Sequence, residues 1–518
     1  MSSDHTIASI FRGPGSATAV MTTASSEPAN VTLAFADVQA QSERFRRQSA
    51  MLFGEALAPG TVVSSLLPNG LCCLLVFLGT ALQRCVAAPL NPAMRQGEIE
   101  FYLQDAETRV LIVPAAATED DEGVRAARKL GVSVWSVSWE PDSGIRLAAL
   151  GGAPVQPPPI KPTDEQSPSA RPEDVALLLH TSGTTGRPKA VPLSHANIAQ
   201  SMANISATYR LTAEDRSFVV MPLFHVHGLI GATLAPLYAG GSIVVPPRFS
   251  ATHFWHEFVA GAATWYSAVP TIHQILLRHG APASIPTIRF IRSCSSALAP
   301  SVLAELEAAF QAPVLEAYAM TEAAHQMCSN PLPPAVHKPG SVGLPQGVDL
   351  AILDDSDAPT ALGEVCVRGA NVTRGYLNNP EANAKSFTAA SHWFRTGDQG
   401  YLDNDGYLVL TGRIKELINR GGEKISPLEL DAVLLRCPGV AEAVSFAVAD
   451  DMYGQEVNAA VVPHSGASVS EDHIQSFMKE NVAAFKVPKR VFVAESLPRT
   501  ATGKIQRRVV AEHFAGPQ

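Results

Sequence analysis

Cysteine pairing leaves no trace in this chain. Its seven cysteines (72, 73, 85, 294, 328, 366 and 437) are an odd number, and no two are spaced as C-x-x-C. No zinc pattern is present, and the count fits reduced thiols in an intracellular protein. A membrane-length hydrophobic run is missing as well. The most apolar stretch, 71–82, is too short to span a bilayer. It follows Pro68-Asn69-Gly70, a turn that can start a helix, so it reads as a buried helix. A surplus of positive charge is also lacking. The net charge of −9 argues against a general nucleic-acid surface, but not against an anionic small molecule, because sites are made by local fields. Internal repeats are not evident, and low complexity is confined to a proline-rich connection at 151–172. Asn371-Val372-Thr373 fits a glycosylation sequon, which without a secretory signal reads as chance. The N-terminus carries Asp4 and one early basic residue, Arg12, a poor transit peptide. The chain ends Ala515-Gly516-Pro517-Gln518 rather than in a Ser-Lys-Leu type address. The expected compartment is the cytosol, with no stable membrane insertion.

A length of 518 residues suggests about three domain-sized units. Strand-like apolar runs at 61–67, 110–113, 132–137 and 175–179 alternate with helical patterns at 71–83 and 121–130. Short buried strands are expected again at 217–221, 242–245, 264–268 and 290–292. This rhythm predicts an α/β architecture with parallel strands. Near residue 412 the texture changes. Charge rises through 412–424, and a compact helix–strand pattern runs to the end. The expected division is 1–412 and 413–518.

One ten-residue stretch is chemically distinctive: His180-Thr181-Ser182-Gly183-Thr184-Thr185-Gly186-Arg187-Pro188-Lys189. Glycines let a backbone approach phosphate closely, while hydroxyls and a lysine supply donors around it. Only two residues separate Gly183 from Gly186, and Arg187-Pro188 stands between the second glycine and Lys189, so this is not a Walker A loop. In isolation it could equally be a polar turn.

Five further segments follow in order: Glu316-Ala317-Tyr318-Ala319-Met320-Thr321-Glu322; Gly363-Glu364-Val365 with Arg368-Gly369; Trp393-Phe394-Arg395-Thr396-Gly397-Asp398; Gly412-Arg413-Ile414-Lys415-Glu416; and Thr502-Gly503-Lys504-Ile505. All six together resemble the adenylate-forming superfamily of acyl-CoA synthetases, luciferases and peptide-synthetase adenylation domains, over nearly the whole chain. The resemblance implies a large N-terminal domain of α/β subdomains with a small mobile C-terminal α+β domain. It also implies two half-reactions: a carboxylate attacks the α-phosphate of ATP, and a thiol, here coenzyme A, then displaces AMP. Positioning and electrostatic stabilisation must do most of that work.

By the same resemblance Lys504 is the lysine that bridges carboxylate and α-phosphate, with Thr321, Glu322 and His225 beside the reacting groups. Thr181, Ser182, Gly183, Thr184, Thr185, Gly186 and Lys189 would line the phosphates. Glu322, with Thr181, would hold Mg²⁺, which favours one or two carboxylates plus phosphate oxygens. Tyr318 would lie on one adenine face, near Glu316 and Ala317, with Ser295, Ser296 and Ala297 on the other. Asp398 can accept from both ribose hydroxyls, and Arg413 is a second ribose contact. Lys415 matches the family's hinge. Gly421, Gly422, Lys424 and Lys486 are candidates for the coenzyme A tunnel, although 486–490 could be only a solvated basic face.

Phe224-His225-Val226-His227-Gly228 carries two histidines. Such a pair on a strand could bind a metal, but no third ligand stands nearby in sequence. Arg292-Ser293-Cys294-Ser295-Ser296 and Thr321-Glu322-Ala323-Ala324-His325 are polar for an acid pocket, which fatty-acid enzymes would line with apolar residues. Such a pocket suits a small acid with a second anionic group, and histidine can carry the proton that neutralises it. These segments, with 248–252, Trp265-Tyr266, 269–274 and 484–490, resemble the oxalate–CoA ligases of plants and fungi. That branch's plant pattern ends Ser-Cys-Ser-Ala-Ser, whereas this chain has Ser-Cys-Ser-Ser-Ala. Ala297 therefore leaves the last contact to Ser296 or water. His225, His227, Ser293, Ser295 and His325 are the expected acid-binding residues. Ligation of another short-chain, medium-chain or aryl acid, or nucleotide binding without catalysis, are the alternatives.

Overall fold

Short apolar strands alternating with helices build two large sheets. The computed structural model describes residues 5–156, 169–181, 188–282, 284–500 and 503–515. One sheet has seven strands in the order Gly144–Ala149, Ser133–Glu140, Val110–Pro114, Val62–Ser65, Val86–Pro89, Val175–Thr181, Lys189–Ser194. The other has nine, ordered Leu344–Pro345, His325–Ser329, Val314–Met320, Phe290–Cys294, Trp265–Ala268, Arg216–Phe218, Ser242–Val245, Thr18–Thr22, Thr32–Ala34. Both interiors are parallel, as expected, and both are flanked by antiparallel edge pairs. The apolar stretch becomes helix Leu71–Leu82, whose leucines 71, 74, 75 and 78 are wholly buried in the largest core cluster. Among the described residues no helix is long and apolar enough to cross a membrane.

A four-stranded antiparallel sheet follows: Asp349–Leu353, Gly363–Arg368, Phe394–Leu402, Leu408–Arg413. The chain then makes one 3₁₀ turn, Ile414–Glu416, and enters a five-stranded sheet with its own core around Leu430, Val457 and Ile474. The molecule is thus a large N-terminal domain followed by a small C-terminal one. The central strands of the two large sheets are buried on both faces, whereas Phe394–Leu402 of the four-stranded sheet alternates with period two.

One local expectation fails. The histidine pair is not on a strand. The preceding strand ends at Phe218, and His227 opens a π-helical segment, His227–Leu234, whose eight residues are all buried. Segments of this wider helix recur at functional sites. Here it leaves room for a ring: a Cβ on Gly231 would stand 2.5 Å from His325 Nε2.

Candidate active site

The segments Gly363–Glu364 and Trp393–Asp398 meet as neighbouring antiparallel strands. Glu364 accepts from Arg395 (2.6 Å) and from the Gly397 N–H (2.9 Å), and Thr396 Oγ1 donates to the Val365 carbonyl at 2.7 Å. These bonds hold strand Phe394–Leu402, which carries Asp398. Its neighbour across the next strand pair is Arg413, and the two form an ion pair at 2.7 Å. The Tyr318 hydroxyl donates to the other carboxylate oxygen. Burial raises the Asp398 pKa, and the Arg413 charge opposes that shift.

Glu322 lies in a 3₁₀ turn, Thr321–Ala323, where Thr321 and Glu322 are both buried. Its Oε1 accepts from the Tyr376 hydroxyl at 2.9 Å, and the Lys189 ammonium stands 4.5 Å from the centre of the Tyr376 ring. Lys189 faces Thr181 across the hairpin of Val175–Thr181 and Lys189–Ser194. Burial lowers the Lys189 pKa, and the Glu322 charge resists that shift. A carboxylate held by one tyrosine keeps free lone pairs for a hard cation, so these residues fit Mg²⁺. Residues 182–187, which carry Ser182, Gly183, Thr184, Thr185 and Gly186, lie outside the described residues.

Lys504 comes from the small domain. The Thr271 hydroxyl donates to the Gly503 carbonyl at 2.9 Å, Arg499 donates to the Thr271 hydroxyl at 2.7 Å, and Arg278 pairs with Glu442 at 3.0 Å. Thr271 and Arg278 sit on helix Pro270–His279 of the large domain, so these bonds dock the lysine loop against it. Gly503 adopts φ +84°, a left-handed conformation that favours glycine. Burial lowers the Lys504 pKa; the nearby charge of Arg413 adds to this, and Asp398 counters it. The lysine's charge in turn reaches His225, His227 and His325.

Those histidines belong to a buried polar cluster. His227 and His325 stack with centroids 5.3 Å apart. His227 Nδ1 and Nε2 bond Ser295 Oγ (3.1 Å) and Ser267 Oγ (2.6 Å). Arg292 bonds Ser267, His325, Gln326 and Tyr209. Burial, reinforced by the charge of Arg292, holds both rings well below the ordinary histidine pKa. Half-buried His225 is pushed down to about 3, by burial first and Lys504 second. All three shifts favour the neutral ring in the ligand-free protein.

Two family models cover this arrangement: AMP-binding enzyme over 12–377, and AMP-binding enzyme C-terminal domain over 429–504. The chain belongs to the AMP-binding enzyme family. The oxalate–CoA ligase of Saccharomyces cerevisiae is 49% identical over 492 residues, covering 91% of this chain and 90% of that protein. The oxalate–CoA ligase of Arabidopsis thaliana is 50% identical over 479 residues, with coverages of 90% and 91%. Among solved structures, ATP-bound MatB from Rhodopseudomonas palustris is similar, with TM-score 0.86, 28% identity and 99% of each chain covered.

In this AMP-binding enzyme the fold brings together Thr181, Lys189, Tyr318, Thr321, Glu322, Asp398, Arg413 and Lys504, with His225, His227, Ser295 and His325 beside them. Ala317 is a buried strand residue paired with Cys294, while Ser296 and Ala297 are exposed after the strand. Ser293 does not join the cluster. The pleat puts it on the face opposite Arg292, and its buried Oγ has no hydrogen-bond partner among the described residues. Gly421, Gly422 and Lys424 lie exposed on the small domain's hairpin, where Gly421 bonds Tyr453, while Lys486 is held by Glu429 at 2.7 Å. Their hydrogen bonds stay within that domain. Sequence reasoning missed Arg292, Ser267, Tyr209 and Gln326 as functional residues. The available signal was an arginine inside an apolar strand run, Phe290-Ile291-Arg292, where a charge is seldom left unpaired.

Proposed function

We propose that the protein is an AMP-forming oxalate–CoA ligase. An oxalate oxygen attacks the α-phosphorus of ATP, giving oxalyl-adenylate and releasing pyrophosphate. The sulfur of coenzyme A then attacks the acyl carbon, its proton is lost, and AMP leaves with the bridging oxygen. Lys504 holds the two anions together in the first step. Asp398 and Arg413 take the ribose, Tyr318 with Glu316 and Ala317 the adenine, and Thr181 to Gly186 with Lys189 the phosphates. Glu322, with Thr181, would hold Mg²⁺, which supplies charge neutralisation on the phosphate oxygens. His225, at the join of the two regions, lies beside the reacting carboxylate.

The observation that carries the substrate assignment is the polar cluster next to Lys504: two neutral imidazoles, serines and a buried guanidinium where a fatty acid would need apolar walls. His227, Ser295 and His325 hold the carboxylate that is not activated. Residues 1–412 act as the adenylate-forming body and 413–518 as the lid. The change of sheet across Ile414–Glu416 supports Lys415 as the hinge between them. Rotation there would replace the Lys504 loop with the hairpin of Gly421, Gly422 and Lys424, and Lys486, for the coenzyme A step. A cytosolic setting fits the seven free thiols.

Acid-dependent AMP release tests the assignment, using ATP, Mg²⁺ and coenzyme A with oxalate, malonate, acetate, hexanoate or a cinnamate. Strong preference for oxalate is expected. Preference for another acid would overturn the substrate, and silence across a wide panel would favour nucleotide binding without catalysis.

A further inference from the structure

Arg292 is fully buried, and among the described residues no carboxylate bonds its guanidinium; the Cys294 thiol is a further polar neighbour. It donates to the Tyr209 hydroxyl (2.7 Å), Ser267 Oγ (3.2 Å), His325 Nε2 (2.9 Å) and Gln326 Oε1 (3.0 Å). A guanidinium only donates. His325 Nε2 must therefore accept, which puts that ring's proton on Nδ1. This Nδ1 is buried and has no hydrogen-bond partner among the described residues. Ser267 extends the relay. Its oxygen accepts from Arg292, and His227 Nε2 at 2.6 Å is the other partner of this hydroxyl among the described residues, so the arrangement that satisfies the Ser267 proton has it donate to Nε2. His227 then carries its proton on Nδ1 and donates to Ser295 Oγ at 3.1 Å. The Ser295 hydroxyl proton is left for another acceptor. Ser295 is half-buried, with φ +77°, at the point where strand Phe290–Cys294 ends.

We propose that Arg292 is the positioning residue of the acid site: it locks His227 and His325 in their Nδ1–H tautomers and supplies the buried positive charge that the substrate's second carboxylate neutralises. The first part stands on the hydrogen bonds alone. The second rests on the ligase reading given above. Two donors, His325 Nδ1–H and the Ser295 hydroxyl, remain for that carboxylate, and an anionic ligand compensates a buried cation that no described carboxylate pairs. A neutral far end would leave the charge uncompensated, so the site discriminates by charge more than by size.

Two measurements on the full chain test this. Ring-¹⁵N histidine labelling and two-bond ¹⁵N–¹H correlation spectra read the tautomers directly, with His227→Gln and His325→Gln for assignment. Both rings should show the Nδ1–H pattern at neutral pH; an Nε2–H tautomer or an imidazolium at either ring overturns the relay. The second compares oxalate with oxamate, its half-amide of the same shape. Arg292→Met should raise the oxalate KM about 100-fold, leave the ATP KM within about threefold, and erase the preference for oxalate over oxamate. Arg292→Lys, which keeps the charge but not the fork, should retain part of that preference. Equal losses for both acids, with their ratio unchanged, would show a purely structural arginine and overturn the charge role. If Arg292→Met does not fold, the lysine variant's acid ratio and the wild-type spectra still decide. If the wild-type protein activates another diacid and not oxalate, the ligase reading loses its substrate, while the spectra and that acid's half-amide still judge Arg292.

Discussion

The nucleotide side and the acid side of this site handle charge in opposite ways. Asp398 faces Arg413 at 2.7 Å, and Lys189 feels Glu322 past the Tyr376 ring. These groups are balanced before any ligand arrives, so the frame for ATP is prefabricated. On the acid side Arg292 is buried among a hydroxyl pair, an imidazole and an amide, with no carboxylate bonded to it. That half is electrostatically incomplete until an anion binds. Affinity for the nucleotide then comes from many shared contacts, while selectivity for the acid comes from one charge and the tautomers it sets.

The largest break in this comparison is at the join of the two sides. Lys504→Ala should lower acid-dependent pyrophosphate release about 10³-fold, since it removes the donor placed where charge develops. Next, the two sides should separate kinetically. His227→Ala or His325→Ala should raise the oxalate KM about 30-fold while moving the ATP KM little, and Asp398→Ala should do the reverse. Steady-state KM values for both substrates in each variant read this, and equal shifts in both would erase the distinction. Smaller still is Gly231→Ala. Its new Cβ would stand 2.5 Å from His325 Nε2, pressing the ring off Arg292. It should raise the oxalate KM about tenfold with ATP affinity retained.

Glu316 sharpens the comparison from the nucleotide side. Its Oε1 accepts from the Leu298 N–H at 2.8 Å, but its Oε2 is buried without a partner. Burial pushes its pKa up to about 8 from an ordinary 4.5. The folded state thus binds a proton that the unfolded chain has released. The contribution to stability is complete below about pH 4.5 and is lost as pH rises through about 8. Glu316→Gln should flatten this part of the stability profile by up to about 1.4 kcal/mol per pH unit. Urea unfolding of the ligand-free protein at pH 5 and pH 8 measures it, and parallel profiles for both proteins would show that Glu316 is ionised.

The contrast also explains what could be read in advance. The nucleotide side is encoded in contiguous segments: Trp393 to Asp398, Gly412 to Glu416, and the segment around Gly503 and Lys504. Local order was enough to find them. The acid side is assembled from Tyr209, His227, Ser267, Arg292, Ser295 and His325, drawn from three strands of the nine-stranded sheet, the residue after one of them, helix His195–Tyr209 and the π-helical segment His227–Leu234. Their meaning depends on being buried together, which no local pattern states. Period-two alternation over Phe290–Cys294 puts Arg292 and Ser293 on opposite faces of the strand. The π-helical turn at His227 was not legible, because a run such as His227 to Leu234 reads equally as strand or buried helix by apolarity alone.

The most direct test of the two-step ligase follows an atom. Oxalate labelled with ¹⁸O, incubated with the protein, ATP, Mg²⁺ and coenzyme A, should give AMP carrying one ¹⁸O together with oxalyl-CoA, because the attacking carboxylate oxygen leaves with the nucleotide. Unlabelled AMP, or label in inorganic phosphate, would contradict the account.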